Sequence, residues 1–330
     1  MARRPFQGWS ESALRLVLIL SSLLFSLALA VAGYEAYQNV LYYRWRAGFS
    51  SVYLNLSLAM PATHPGLIWE YRPYSFAELI YVNRYGFRDH DFVVKTKPAG
   101  TRRIAFIGDS VTLGLKMPVE RTFVPLVEAK LRAQPKGSNL QALNFGIDGY
   151  DTSQVLANLR AKVWDFDPDL VVYVMCLNDF DDEEGDGGKR AYFVKPSLFT
   201  YRTLERMYIK WTGTDYSLFF YHKNKDKVLA EIDDMAAEVK AHGKRLLVVI
   251  VPTFYPAPSF ADYPLRPIHT EVSAALTAHG IPSVDLLPPF EAAGKAPPHW
   301  AVDIWHLNIE GHKLVTDALV EPVLSAATAD

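Results

Sequence analysis

The sequence predicts an α/β fold: a mostly parallel five-stranded sheet with helices on both faces, preceded by an N-terminal transmembrane helix. Three observations carry this expectation. Residues 16–34 hold no charge, five apolar runs alternate with helix-period segments from Arg102 onward, and the unusual polar residues gather directly after those runs. Strands alternating with helices imply a parallel sheet covered on both faces. Open sheets of this kind bind ligands outside the carboxyl ends of their strands.

After Arg3, Arg4 and Arg15 the segment LVLILSSLLFSLALAVAGY, from Leu16 to Tyr34, is uncharged over 19 residues, about the length that crosses a hydrocarbon core. Residues 1–34 are therefore read as a tail and membrane anchor. The aromatic cluster Tyr34, Tyr37, Tyr42, Tyr43 and Trp45 suits the far interface. The same segment also fits a cleaved signal peptide, because Ala30, Val31 and Ala32 before Gly33 satisfy the small-residue pattern. A buried core helix is the third reading. Arg44 and Arg46 nearly balance the three N-terminal arginines, so orientation rests on the N-terminus staying inside. On that basis the chain is expected as a single-pass protein of the cell inner membrane with its main domain periplasmic.

Residues 35–100 read as a membrane-proximal segment packed on the core. THPGLIWEYRP and YVNRYGFRDHDF suggest short extended pieces and turns rather than long helices. KTKPAG then forms a polar linker into the main domain, residues 101–330.

That domain carries the five apolar runs RIAFIG, QALNFG, DLVVYVMC, KRLLVVIVP and IPSVDLL. Segments such as TFVPLVEAKLRAQ and TSQVLANLRAKVWDF supply the intervening helices. Half of the 330 residues are apolar, 21% are charged and the net charge is −2, which excludes a disordered chain and a nucleic-acid binder's basic excess. The single cysteine, Cys176, excludes an internal disulfide framework and a cysteine-based zinc site. No metal or cofactor is expected.

RRIAFIGDSVTLG runs its strand straight into Gly108, Asp109 and Ser110. Ordinary turn chemistry accounts for that tripeptide; so does a nucleophilic serine displayed at the end of a parallel strand. The other strand ends bear on the choice. NFGIDGYDTS follows the second run, CLNDFDD the third, and VDIWHLNIEGH lies near the C-terminus. Ser110, Gly149, Asn178, Asp303 and His306 form the candidate constellation.

Each residue type has a chemical reason to be there. A serine hydroxyl is a weak nucleophile until an imidazole takes its proton, and a carboxylate on the other ring nitrogen fixes the tautomer. The three-residue spacing of Asp303 and His306 lets one loop present both, provided that it curls back on itself. A tetrahedral oxyanion needs preorganised donors, which backbone amides near Gly149 and the Asn178 amide would supply. Taken singly, each has a plainer explanation. Gly149 fits a turn, Asn178 a loop start, Asp303 a helix cap and His306 a structural hydrogen bond.

The set GDSVTLG, NFGIDGYDTS, CLND and DIWHLN resembles the four sequence blocks of the SGNH hydrolase superfamily, also called GDSL esterases and lipases. The resemblance spans roughly residues 82–322 and includes NRYGFRD, which is similar to a segment of bacterial envelope members. It implies a flavodoxin-like three-layer α/β/α sandwich. By resemblance Ser110 is the nucleophile and Asp303 and His306 are its acid and base partners. The Ser110 amide, Gly149 and Asn178 then form the oxyanion hole. Gly149, rather than Gly146, has the family spacing from Asn144.

Two departures stand out. Cys176 replaces the glycine usual in the third block, and Val111 the leucine of the first. Cys176 as an alternative nucleophile is set against a buried, inert thiol at the end of an apolar strand.

Residues 179–227 form an insertion longer than an ordinary connection. Its acidic run DFDDEEGDGG resembles a calcium loop only loosely, lacks EF-hand spacing and reads as solvated surface. Its aromatic part suits a lid, a partner surface or a membrane-facing flap, with its position beside Asn178 favouring a lid or substrate wall.

The resemblance implies a serine esterase or O-acyltransferase working through an acyl-enzyme on an acyl ester, with an O-acylated envelope polysaccharide as the expected substrate. Lipase and thioesterase are alternatives within the class. A catalytically silent accessory or glycan-binding subunit, working with a membrane-embedded partner protein, is the alternative from another class.

Overall fold

The structure, a computed structural model, describes residues 10–56, 58–77, 79–90, 93–181, 193 and 195–329, with no side chains described for residues 48–56. Helix α1 (Glu11–Leu56) opens the chain. Its Glu11–Ala47 stretch is long and apolar enough to cross a membrane and is unburied in its most apolar part. The helix does not give way to short extended pieces at Tyr34. No glycine or proline falls between Gly33 and Gly48, so nothing in the backbone breaks it. The expected extended pieces do follow. β1 (Ala59–Pro61) pairs antiparallel with β2 (Trp69–Tyr71), and β3 (Phe76–Ala77) with β4 (Ile80–Tyr81).

The core sheet has the five expected strands: β5 (Arg102–Gly108), β6 (Leu140–Asn144), β7 (Leu170–Cys176), β8 (Arg245–Val251) and β9 (Ser283–Asp285). All pairings are parallel, in the order β6-β5-β7-β8-β9. This is the flavodoxin-like order. Every residue of β7 is buried, and only the first residue of β5 and of β8 is less than buried. Strands covered on both faces need apolar side chains at successive positions, which is why they read as unbroken runs.

The helices are α2 (Ser110–Leu113), α3 (Phe123–Arg132), α4 (Thr152–Ala161), α5 (Phe199–Thr212), α6 (Tyr216–Ala241), α7 (Arg266–Ala278), α8 (Leu287–Ala292) and α9 (Ile309–Thr328). Right-handed crossovers put α3 on one face, where it packs against α9. The later crossovers, of the same hand, travel along the sheet in the opposite direction, so α4, α6 and α7 pack together on the opposite face. The strand order reverses between β5 and β7, and such a switch point opens a crevice above the strands' carboxyl ends.

Candidate active site

The turn at that crevice explains its own sequence. Gly108 ends β5 at φ 155°, and a Cβ there would lie 2.6 Å from the Val174 carbonyl oxygen, so only glycine fits. Asp109 caps α2, its Oδ1 accepting from Val111 N at 2.8 Å. Ser110 is the first residue of that short helix and is almost wholly buried. A buried guanidinium braces the turn from below. Arg88 donates to the carbonyls of Leu113, Gly114, Leu79 and Met117 at 2.9, 2.6, 2.8 and 2.5 Å. Asp89 Oδ2 accepts from Asn144 N at 2.9 Å, at the end of the neighbouring strand. The NRYGFRD segment is thus a strut beneath the serine turn, a role that no periodicity in the sequence announces.

The C-terminal loop does curl back on itself. Val302 N donates to the His306 carbonyl at 2.8 Å, and Ala301 bridges antiparallel to Leu307. Asp303 Oδ1 accepts from the backbone amides of Trp305 and His306 at 2.9 and 2.8 Å, locking the carboxylate inside the loop. His306 Nδ1 lies 2.9 and 2.8 Å from the two Asp303 oxygens, and His306 Nε2 lies 2.9 Å from Ser110 Oγ. With the carboxylate accepting from Nδ1–H, Nε2 is left as an acceptor facing the hydroxyl.

Lys116, which the sequence reading passed over, completes the arrangement. Its Nζ donates to Asp303 Oδ2 at 2.6 Å from a left-handed position, φ 68°. Partial burial works against the charged form of Asp303, but hydrogen bonds from Lys116, the His306 ring and the two amides outweigh it and hold the carboxyl well below its usual range.

Gly149 and Asn178 lie after the strands on either side of β5. Gly149 has φ 80°, and a Cβ on it would stand 3.3 Å from the Trp69 ring. Asn178 Nδ2 donates to Asp109 Oδ2 at 3.1 Å, so its amide is tied to the residue beside the serine. Gly146 serves the packing of the strand end: its Cβ would fall 2.4 Å from Leu113 N. Cys176 is wholly buried and burial pushes its thiol well up, as an inert core cysteine requires. Beneath the site, burial raises Asp109 and Asp179 alike. Asp179 is held by Tyr173 Oη at 2.9 Å and by Cys176 N at 3.1 Å.

The described part of the insertion divides in two. Phe193 stacks on Trp69 with ring centroids 5.7 Å apart, and so reaches the surroundings of Gly149. Helix α5 instead docks on α1. Of the acidic run, residues 182–188 lie outside the described residues. Among the described residues no group of three or more His, Cys, Asp or Glu is arranged to hold a metal. Cavities of about 270 and 880 Å³ lie elsewhere, the first beside His64, Glu70 and Lys162 and the second beside Asp233, Arg245 and Pro322. Neither is lined by Ser110 or His306.

Fold and site together define a serine hydrolase built on a parallel α/β sheet. The GDSL-like Lipase/Acylhydrolase family profile matches residues 106–314, well over half of the chain. The chain belongs to that family, and its general chemistry is that of an esterase or acylhydrolase. No curated protein matches it significantly. Similar solved structures include Axe2, an acetylxylan esterase from Geobacillus stearothermophilus, at 19% identity and TM-score 0.47, covering 71% of this chain and 98% of that one. LAE5, an enzyme from the metagenome of Lake Arreo, Spain, shares 19% identity at TM-score 0.46, covering 70% and 98%. TesA shares 16% at TM-score 0.46, covering 68% and 99%.

Proposed function

We propose that this protein cleaves or transfers ester-linked acyl groups with Ser110 as nucleophile, His306 as general base and then acid, and Asp303 as the group that orients the imidazole. One observation carries the reading: the unbroken chain of contacts from Ser110 Oγ to His306 Nε2, and from His306 Nδ1 to Asp303. In the first step Ser110 Oγ bonds to the acyl carbon as its proton passes to Nε2. The charge that develops on the carbonyl oxygen is met by the Ser110 amide, by the backbone at Gly149 and by the second N–H of Asn178. Collapse expels the alcohol with the proton from His306 and leaves acyl-Ser110. Attack by water then gives hydrolysis, and attack by an acceptor hydroxyl gives transfer.

The acyl-bearing partner we favour is an O-acylated envelope glycan, met outside the cytoplasmic membrane to which α1 tethers the domain. Support for the place comes from the exposed apolar stretch of α1 and for the glycan from the resemblance of NRYGFRD to envelope members. The unit from residue 101 onward is taken as the catalytic domain, with residues 35–100 as its membrane-proximal support. A panel of acetylated oligosaccharides and acyl esters, assayed with and without added acceptor sugars, tests the reading. Release or transfer of acetate from the sugars in preference to long-chain acyl esters is expected; preference for long chains would favour a lipase or thioesterase. Protease digestion of intact spheroplasts tests the location, and full protection of residues beyond Arg46 would overturn it.

A further inference from the structure

The geometry points to a second membrane contact, separate from the α1 span: the exposed face of α5, near the tip of the hairpin it forms with α6, lies in the bilayer interface. The inference rests on α1 being a membrane anchor. Helix α5 is seated on α1 just where the charge-free run ends. Tyr34 Oη lies 2.6 Å from Thr203 Oγ1, Glu35 accepts from Phe199 N and Thr200 N at 3.1 and 2.6 Å, Lys195 Nζ donates to Asn39 Oδ1 at 2.7 Å, and the Tyr42 and Phe199 rings are 6.0 Å apart. The order of these contacts fixes the direction. As α1 is followed from Tyr42 back to Tyr34, the partners advance from Lys195 and Phe199 to Thr203, so α5 runs toward the apolar segment. Thr203 is already level with Tyr34, and eight further residues at about 1.5 Å each carry Trp211 up to about 12 Å closer to the span.

The side chains on that stretch suit the location. Leu204, Met207, Tyr208 and Trp211 are 59, 61, 52 and 84% exposed, and Tyr201 continues their stripe. Their spacing follows one helical face, while Arg202, Glu205 and Ile209 on the opposite face are buried. A stripe of this kind in water is unfavourable. Tyr and Trp, with an apolar body and a polar edge, are the side chains that settle at headgroup depth. Arg206 and Lys210, also exposed, flank the stripe with positive charge suited to anionic phospholipid. An amphipathic helix whose tip enters the interface beside a spanning helix would fix the tilt of the catalytic domain and its height above the membrane.

The test uses the full chain reconstituted into vesicles of phosphatidylcholine and phosphatidylglycerol. Nitroxide labels are placed singly at Leu204→Cys, Trp211→Cys and, within the span, Leu24→Cys. Cys176 is fully buried and stays out of the labelling, and the three target side chains are exposed, so none of the substitutions empties a packed position. Collision rates with oxygen and with a water-soluble nickel chelate report depth. Labels at 204 and 211 should sit at the headgroup–acyl boundary, shallower than the label at 24. Water-like values at 204 and 211 with a hydrocarbon value at 24 would overturn the inference while leaving the anchor intact, and would direct the search toward a protein covering that face. Water-like values at all three would remove the anchor and the inference together.

Discussion

Lys116 Nζ lies 2.6 Å from Asp303 Oδ2, the same carboxylate oxygen that stands 2.8 Å from His306 Nδ1. The lysine helps to hold the carboxylate ionised and to stop it from rotating away from Nδ1. Both side chains are partly exposed, so solvent screening limits the contribution to roughly 0.5–1 kcal/mol. Lys116→Met should therefore lower kcat about two- to fivefold, with KM and melting temperature little changed, and Lys116→Arg should recover most of the loss. An unchanged kcat in the methionine variant would show that the loop amides alone position Asp303.

Asn178 is tied to Asp109 by one N–H, which leaves the other for the substrate oxygen on the proposed mechanism. Asn178→Ala should lower kcat by roughly 100- to 1000-fold, as loss of one oxyanion donor does. Steady-state kinetics on the best ester of the panel would measure it. A change confined to KM would place Asn178 in substrate binding instead.

His312 offers a test of the fold that is independent of catalysis. It is buried beneath α3, stacks on Phe123, and accepts from Phe123 N at 3.3 Å. Burial, helped by the nearby Arg88 charge, pushes its pKa down from 6.5 to about 3. The unfolded chain therefore binds a proton that the folded chain refuses throughout that window. The stabilising contribution is complete above about pH 6.5 and is lost progressively as pH falls toward about 3. Melting temperatures recorded across the window should fall more steeply for the native chain than for His312→Asn, which keeps an acceptor for Phe123 N without the ionisable ring. Parallel curves would contradict the assignment.

Much of this was readable in advance, for physical reasons. The central strands β5, β7 and β8 were the plainest because strands buried on both faces need apolar side chains at nearly every position; the short edge strand β9, half-buried throughout, was marked only by the longer run around it. Ser110, Asp303 and His306 stood out as a set, since each alone had a plainer explanation, and the three come together in one hydrogen-bonded chain. The supports were not visible. Lys116 and three of the four Arg88 contacts reach loops 25 or more residues away, and nothing in the surrounding sequence marks a guanidinium as buried or a loop lysine as left-handed. The extension of α1 past Tyr34 was masked by its aromatic content, which reads as extended structure until Tyr34, Glu35 and Tyr42 are seen packing on α5. Those partners are more than 150 residues apart, a separation that no local pattern records.

The most direct test is covalent labelling of the full-length protein with a fluorophosphonate, followed by peptide mapping. The account predicts a single adduct on Ser110 that disappears, together with ester turnover, in a folded Ser110→Ala protein. Asp303→Asn should label far more slowly, because it disturbs the imidazole tautomer without removing the nucleophile. Full turnover by folded Ser110→Ala would contradict the serine mechanism. Failure of the native chain to label or to turn over any ester would leave a hydrolase fold retained for binding alone.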